Sequence, residues 1–393
     1  MTAVRVVSGL ERLLQDPALL GTSGRLGLLY NQASVDALFR PAPELIAQAF
    51  PGRLRVLFGP QHGAAMTEQD NMIETGHSVH PRLGLPLYSL YAESRTPRRD
   101  MLESVDTVLI DLQDVGTRVY TFATTALELM KACAQAEKDV LVLDRPNPLN
   151  GVSVEGNVLH PDFSSFVGPY PLPMRHGLTL GELLTLYNEE YGIGARLKVI
   201  RMDGWNRRMY FEDTGLPWVL PSPNMPTVET AVVYPGQVIL EGTNLSEGRG
   251  TTRPFELFGA PYVDARAVRA ALESDVLDGA ILREVAFRPT FNKWAGQVCH
   301  GFQIHVTDRT LFRPYRCSLG LVSAIFRTHP ESFRWADPPY EYVYDKKPFD
   351  VIVGDARIRE GLEAGCTVHE LEASWHHDLA GFHEVAKRYC LYP

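Results

Sequence analysis

Short apolar stretches alternate with helix-like stretches through the first half of the chain, and few folds are compatible with this alternation. The apolar runs end in LLYNQ, LFGPQHG, LIDLQD and LVLDRPNP, and segments such as PELIAQAF and TTALELMKACAQAEK lie between them. Residues 105–110 and 140–143 form largely continuous apolar runs, which are typical of parallel strands buried on both faces. The pattern predicts an α/β fold with a parallel sheet flanked by helices. Thr179 and Glu182 are spaced as a capping box for one further helix.

The length and the second half of the sequence predict two domains. A chain of 393 residues is longer than one hydrophobic core usually supports. Residues 206–235 are rich in Pro, Trp and Asn, and PWVLPSPNMPT interrupts regular structure there. We therefore expect an N-terminal catalytic domain at residues 1–228 and a smaller α+β domain at residues 229–393, with GFQIHV as one of its strands and LGLVSAIFRTH as one of its helices.

Charge and composition favour a small-molecule partner. The formal net charge is -9 and no sustained Lys/Arg run offsets it, which argues against a nucleic acid or an anionic membrane. No apolar run approaches the roughly 20 residues that cross a bilayer, and the charged opening MTAVRVVSGLERLLQD does not resemble a signal peptide. Five scattered cysteines without CxxC spacing favour free thiols. We expect a cytoplasmic protein, and nothing in the sequence indicates its oligomeric state.

Polar side chains follow each predicted strand of the first half. At any one strand these residues are most simply helix caps or turn residues. At four strands together they favour a binding site, because ligands of parallel α/β sheets bind outside the carboxyl ends of the strands. The residues are Asn31 and Gln32, then Gln61 and His62, then Asp111, Gln113 and Asp114, and then Asp144, Arg145 and Asn147.

Several familiar sites are not indicated. The sequence has no GxGxxG fingerprint, no GxxxxGK[ST] loop and no GxSxG elbow, so we expect neither a dinucleotide cofactor nor a serine nucleophile. His62, His77, His80 and His176 are scattered over loops, whereas zinc ligands usually occur in tight motifs such as HExxH. No cofactor or metal is expected. A metal-dependent hydrolase that uses His62, Asp114 and His176 is an alternative.

Charged side chains in Gly- and Pro-rich loops supply the other candidates. A guanidinium in such a loop can hold a carboxylate or a phosphate, and a loop carboxyl group can act as an acid or a base. For Arg145, a structural pair with the neighbouring Asp144 is at least as plausible. The arginines are Arg118, Arg145, Arg175 and Arg249, and the carboxylates are Glu74, Asp114, Glu155, Glu241 and Glu247.

Long sequence blocks resemble one known family over nearly the whole chain. They include FGPQHG, LPLYSLYAE, DLQDVGTRVYTF, VLDRPNP, SFVGPYPLPMRHGLTLGEL, PSPNMPT, YPGQVILEGTNLSEGRGTTRPFELFGAP and FNKWAGQVCHGFQIHVTD. Together they resemble the NamZ-type exo-β-N-acetylmuramidases, formerly a family of unknown function. The resemblance implies a Rossmann-like N-terminal domain, a smaller C-terminal domain and a cleft between them. It also implies release of N-acetylmuramic acid from the non-reducing ends of peptidoglycan fragments.

The resemblance and the loop residues together give an expected site. Arg118 or Arg175 would bind the lactyl carboxylate of muramic acid, and His62, Asn147, Asn224 and Asn244 would bind hydroxyl groups. The candidate catalytic residues are Gln61, His62, Glu74, Asp114, Glu155 and Glu247. The candidate substrate-binding residues are Arg118, Tyr120, Asp144, Arg145, Asn147, Arg175, His176, Asn224, Glu241, Asn244 and Arg249.

The first block departs from the family pattern at one position. That block usually reads PEHG in the family, and its glutamate is a credible catalytic acid, whereas this chain has Gln61. An amide cannot give or take a proton in that role. Either another carboxylate serves, with Glu74 the nearest in sequence, or the chain is a sugar-binding protein that has lost the acid.

Overall fold

A seven-stranded sheet forms the centre of the N-terminal half. The computed structural model describes residues 5–22, 24–63, 68–69, 72–92 and 94–393. The strands are β1 Leu26–Tyr30, β2 Leu54–Gly59, β3 Ser78–Val79, β4 Pro86–Ser89, β5 Thr107–Asp111, β6 Asp139–Leu143, β7 Glu155–Val158, β8 Pro173–Arg175, β9 Arg196–Ile200, β10 Leu257–Ala260, β11 Ala280–Phe287 and β12 Cys299–Val306. The large sheet has the order β3-β4-β2-β1-β5-β6-β9, and every neighbouring pair in it is parallel except β3 with β4.

Helices flank this sheet and build much of the C-terminal half. They are α1 Gly9–Gln15, α2 Ala42–Ala49, α3 Arg99–Leu102, α4 Phe122–Gln135, α5 Leu180–Glu190, α6 Val228–Gln237, α7 Ala265–Ala271, α8 Pro314–Thr328, α9 Pro348–Val353, α10 Ala356–Glu363 and α11 Val368–Lys387. Short 3₁₀ turns lie at Pro17–Leu20, Pro161–Phe163, Phe211–Thr214 and Val238–Gly242.

The predicted fold class is confirmed. Every residue of β1 and β5 is buried, as expected for strands with helices on both faces of the sheet. Helix α5 begins with the predicted capping box, in which Thr179 caps the backbone N–H of Glu182 and the Glu182 carboxylate accepts from the backbone N–H of Thr179. Both reciprocal bonds satisfy amides that the helix itself leaves unpaired.

The C-terminal half contains the expected smaller α+β arrangement. Its antiparallel sheet has the order β10-β12-β11, and the predicted strand GFQIHV lies within β12. Helices α6 and α8 pack against each other so closely that a Cβ atom on Gly236 would lie 1.9 Å from the carbonyl oxygen of Pro314. The boundary at residue 228 stays a prediction.

The two halves share one hydrophobic core. A single buried apolar cluster runs from Leu29 in β1 through Tyr234 in α6 to Ala386 in α11. The end of the chain also returns to the first half, where the Tyr392 hydroxyl donates to Asp144 over 2.6 Å. In the part of the chain that the structure describes, no helix has the length and apolar character needed to cross a bilayer.

Candidate active site

A cavity lies at the carboxyl edge of the large sheet, between the two halves. Its empty space, counted together with the part that is open to solvent, is about 490 Å³. The N-terminal half contributes polar residues Gln61, His62, Tyr120, Thr121, Ser222 and Asn224. The C-terminal half contributes Tyr234, Glu241, Arg249, Tyr340 and Glu341. We call this space the edge cavity.

Gln61 and His62 enter the edge cavity directly after β2. Gln61 is buried, and its side-chain oxygen accepts a hydrogen bond of 2.7 Å from the Thr121 hydroxyl. This bond directs the Gln61 NH₂ group toward Glu341, whose Oε1 lies 3.5 Å away. His62 has a left-handed backbone with φ of 71°, and its Nδ1 lies 2.7 Å from the carbonyl oxygen of Glu68. A left-handed non-glycine residue is often found at functional sites.

Glu341 reaches the edge cavity from a tight turn. The backbone amides of Tyr340 and Val343 each donate to the other's carbonyl, and the two residues between them have φ angles of 44° and 66°. These are features of a type I′ turn, which glycine and asparagine usually occupy. The Glu341 carboxyl group accepts a hydrogen bond of 2.9 Å from the Tyr91 hydroxyl in addition to its contact with Gln61. Burial raises its pKa, and the negative charge of Glu241 acts in the same direction.

Glu241 faces the same cavity in a different environment. Its Oε1 accepts a hydrogen bond of 2.7 Å from Arg249, and its Oε2 accepts one of 2.7 Å from the Tyr340 hydroxyl. Arg249 also lies 3.3 Å from Glu247, which in turn pairs with Lys293 over 3.0 Å. Glu241 is therefore an ion-paired carboxylate, whereas the hydrogen-bond partners of Glu341 in the described chain are a phenol and an amide.

Six of the predicted site residues line the edge cavity, and they come from four separate parts of the sequence. They are Gln61, His62, Tyr120, Asn224, Glu241 and Arg249. Residues 61–62, after β2, and 119–122, in the loop after β5, meet there, whereas the polar residues predicted directly after β1, β5 and β6 do not line the cavity.

The other predicted carboxylates lie outside the edge cavity. Glu74 is exposed and accepts from the Tyr342 hydroxyl, and Glu247 lies in the ion-pair cluster behind Arg249. Glu155 lines a second cavity and accepts 3.0 Å from the amide of Arg316. Asp114 does not line the edge cavity, and its Oδ2 accepts a hydrogen bond of 2.7 Å from the amide of Gly116. Burial raises the pKa of both Asp114 and Glu155 to about 7.

Three predicted arginines hold the protein backbone or another side chain. Arg118 donates to the carbonyl oxygens of four residues, 157, 172, 352 and 353. Arg175 donates to the carbonyl oxygen of Leu149. Arg145 forms a two-pronged salt bridge with Asp111, at 2.5 and 2.9 Å, and not with its neighbour in sequence. We therefore place the lactyl carboxylate on neither Arg118 nor Arg175.

The remaining predicted residues also have structural partners. Asp144 accepts from Thr179 and from the amide of Gly181 at the start of α5. Asn147 donates to the carbonyl of Leu178, and Asn244 donates to the carbonyl of Ser332. His176 accepts from the amide of Leu178, and burial lowers its pKa to about 3.

The alternative of a metal centre needs three converging ligands. Within the described ranges, no group of three or more His, Cys, Asp or Glu side chains is placed to hold a metal ion. His62 lies on the edge cavity, whereas Asp114 and His176 do not line it.

Sequence reasoning missed Glu341 and its turn. The segment WADPPYEYVYDKKPF places three tyrosines around the glutamate in a Pro-rich loop, and aromatic side chains with a few polar groups are typical of small-molecule pockets. No local pattern could link residue 341 to Gln61, which lies 280 positions earlier.

Models of two domains of one family match the chain almost from end to end. The model described as "Exo-beta-N-acetylmuramidase NamZ, N-terminal" matches residues 26–229, and its C-terminal counterpart matches residues 232–392. The chain belongs to the NamZ exo-β-N-acetylmuramidase family. The resemblance seen in the sequence blocks is thus confirmed, and the edge cavity lies between the two matched regions.

Individual NamZ relatives support the same assignment. The peptidoglycan β-N-acetylmuramidase NamZ of Bacillus subtilis (strain 168) is 40% identical over 388 residues, which cover 99% of this chain and 92% of that protein. A DUF1343 family protein of Bacteroides fragilis NCTC 9343 has a crystal structure with a TM-score of 0.88 at 30% identity, covering 99% of this chain and 100% of that one. A second DUF1343 structure from that organism has a TM-score of 0.77 at 25% identity, covering 99% of both chains.

Proposed function

We propose that this chain is a glycoside hydrolase that releases N-acetylmuramic acid from the non-reducing ends of peptidoglycan fragments, with the edge cavity as its active site. The observation that carries the proposal is that two carboxyl groups, those of Glu241 and Glu341, face this one cavity in contrasting environments. Glycoside hydrolysis usually needs such a pair, one to protonate the leaving oxygen and one in the charged form.

The polar lining of the cavity supports a sugar as the ligand. His62, Tyr120 and Asn224 provide hydrogen-bonding groups for hydroxyl and acetamido substituents. The family relationship supports muramic acid in particular, because the B. subtilis relative is named for that activity and matches 99% of this chain.

The direct test is the release of N-acetylmuramic acid from the disaccharide N-acetylmuramyl-β-1,4-N-acetylglucosamine, followed by mass spectrometry. We expect turnover with this substrate, and little with the disaccharide in which N-acetylglucosamine occupies the non-reducing end. A matched Glu241→Gln variant should lose most of the activity. Tight binding of the disaccharide by calorimetry without any release would instead indicate a sugar-binding protein that has lost the reaction.

We further propose that the enzyme acts in the cytoplasm on fragments recovered during peptidoglycan recycling. The five cysteines are free thiols, and Cys133, Cys299 and Cys317 are buried. Thiols persist in reducing compartments, whereas secreted proteins tend to oxidise them. Fractionation of cells that produce the full chain would test this, and recovery of the activity outside the cytoplasmic fraction would contradict it.

A further inference from the structure

We propose that Glu341 is the general acid of the reaction and that Gln61 is its positioning residue. This inference rests on the proposed function, since it assigns the proton donor of that hydrolysis. It also removes the difficulty posed by the amide at position 61, because the acid comes from the C-terminal half of the chain and contacts that amide directly.

The turn at residues 340–343 gives Glu341 a fixed position. Glu341 and Tyr342 both have left-handed φ angles, which cost free energy in residues other than glycine and persist only where the surroundings enforce them. The same turn fixes the other carboxylate, because the Tyr340 hydroxyl donates to Glu241. One strained turn therefore determines where both carboxyl groups of the cavity lie.

Burial suits Glu341 to donate a proton, because it outweighs the hydrogen bonds from Tyr91 and Gln61 and the charge of Arg95, all of which lower its pKa. Its hydrogen-bond partners, Tyr91 and Gln61, are uncharged and hold the carboxyl group without forming a salt bridge to it. Only 5% of the residue is exposed, and desolvation disfavours its charged form. Glu241, by contrast, is ion-paired with Arg249. Glycosidases use two carboxyl groups in different environments, one of which protonates the leaving oxygen.

Other buried acids do not meet these conditions. Asp114 and Glu155 also have raised pKa values, but neither lines the edge cavity, so neither can reach a sugar bound there. A general acid must come within hydrogen-bond reach of the atom it protonates. Geometry therefore selects Glu341.

Gln61 acts through Glu341. The Thr121 hydroxyl fixes the Gln61 amide so that its N–H points at the acid. A carboxylate at position 61 would place a second negative charge about 3.5 Å from Glu341, and two such groups cannot both ionise freely. The amide instead provides a neutral donor that orients the acid.

The proposed step balances as a hydrolysis. Glu341 transfers its proton to the glycosidic oxygen as the C1–O bond breaks, and the bonding electron pair goes to that oxygen, which leaves as the alcohol of the remaining fragment. A water oxygen forms the new bond to C1, and the proton that the water loses goes to Glu241. Proton exchange with solvent then restores the two carboxyl groups to their starting states.

The test compares two substrates that differ in their need for an acid. The disaccharide has a sugar alcohol as its leaving group, whereas 2,4-dinitrophenyl β-N-acetylmuramide releases a phenolate that needs no proton. We expect Glu341→Gln to lower kcat/KM for the disaccharide by about 100- to 10,000-fold and to lower that for the dinitrophenyl substrate less than about 10-fold. The matched control is Glu256→Gln. Glu256 is buried and accepts a hydrogen bond from the Thr230 hydroxyl, but it does not line the edge cavity. This variant should leave kcat/KM for both substrates unchanged.

Two further variants keep the test decisive if Glu341→Gln folds poorly. Tyr91→Phe removes a hydrogen bond that lowers the pKa of Glu341, so the fall in kcat/KM at high pH should move to higher pH. Gln61→Ala should reduce disaccharide turnover and spare the dinitrophenyl substrate. Arg95 and Glu241 also act on the pKa of Glu341, and Arg249 and Tyr340 line the same cavity. All four residues are unchanged in both variants.

The outcomes separate the two proposals. Equal losses on both substrates in Glu341→Gln, or none on either, with an active wild-type enzyme, would overturn the role of Glu341 and leave the proposed function standing. An inactive wild-type enzyme would overturn the proposed function itself. If Gln61→Glu then gained activity, the acid would belong to position 61 and not to Glu341.

Discussion

At the scale of single residues, buried carboxyl groups should make the stability of this protein depend on pH. Asp114 is buried, its Oδ1 has no hydrogen-bond partner in the described chain, and burial raises its pKa to about 7. The unfolded chain ionises the same group near pH 4. The folded state therefore binds the extra proton between these two values, and stability falls as the pH rises through that window.

The Asp114→Asn variant tests this linkage. An amide does not titrate, so the unfolding free energy of the variant relative to wild type should rise by about 1.4 kcal/mol per pH unit between pH 4 and pH 7 and then level off. Urea unfolding at several pH values measures the difference. Asp308→Asn is the control of opposite sign, because the Thr310 hydroxyl lowers the pKa of that exposed carboxylate. A difference that does not change with pH would refute the assignment.

Single residues also mark the limit of what the sequence predicts. Of the polar residues predicted directly after four strands, only Gln61 and His62, after β2, line the edge cavity. The prediction that loop arginines bind a substrate carboxylate did not consider the backbone. Buried loops contain carbonyl oxygens that need hydrogen-bond donors, and arginine can supply them. Arg118 satisfies four of them. Glu341 could not be predicted as a site residue from local sequence, because its contact with Gln61 joins distant parts of the chain.

At the scale of helices and strands, the local signals were more reliable. The continuous apolar runs became β5 and β6, and the capping box opened α5, because each depends on neighbours within a few residues. The turn at residues 340–343 carries none of the glycine or asparagine that usually marks such a geometry. Tertiary contacts enforce it, so local sequence could not predict it.

Two glycines in helices should respond to alanine in opposite ways. In α6, a Cβ on Gly236 would lie 1.9 Å from the Pro314 carbonyl oxygen and 2.4 Å from the Ser318 hydroxyl, so Gly236→Ala must push α6 and α8 apart. In α11, a Cβ on Gly381 would meet nothing within 4 Å. We expect Gly236→Ala to lower the free energy of unfolding by roughly 1–3 kcal/mol or more. We expect Gly381→Ala to raise it by about 0.5–1 kcal/mol.

Thermal and urea unfolding of the two alanine variants measure both effects. Because Glu241 follows α6 within a few residues, Gly236→Ala should also lower kcat/KM, whereas Gly381→Ala should not. Equal changes in the two variants would show that helix propensity and not packing decides the stability of α6.

At the scale of the whole molecule, the edge cavity forms only if the two halves keep a fixed position relative to each other. They share one apolar cluster, and the acid and its amide partner come from opposite halves. Arg118 adds a polar clamp, because it donates to carbonyl oxygens of residues 157 and 172 in the first half and of residues 352 and 353 in the second. The clamp residues 352 and 353 lie ten or so positions after the turn that carries Glu341.

Replacing this clamp should therefore affect stability and activity together. Arg118→Met keeps much of the apolar stem but removes a donor from four carbonyl oxygens. Those of residues 172 and 353 keep a second donor, from the Leu159 amide and the Asn157 side chain. An oxygen left unsatisfied costs about 1–3 kcal/mol, so we expect the unfolding free energy measured in urea to fall by at least roughly 2 kcal/mol. Arg334→Met is the matched control, because Arg334 is exposed, donates to three carbonyl oxygens in its own loop, and water can replace it there. We expect Arg118→Met to lower kcat/KM even where the variant is fully folded, since Glu341 would lose its fixed position opposite Gln61. Wild-type kinetics in that variant would show that the apolar core alone holds the halves in register.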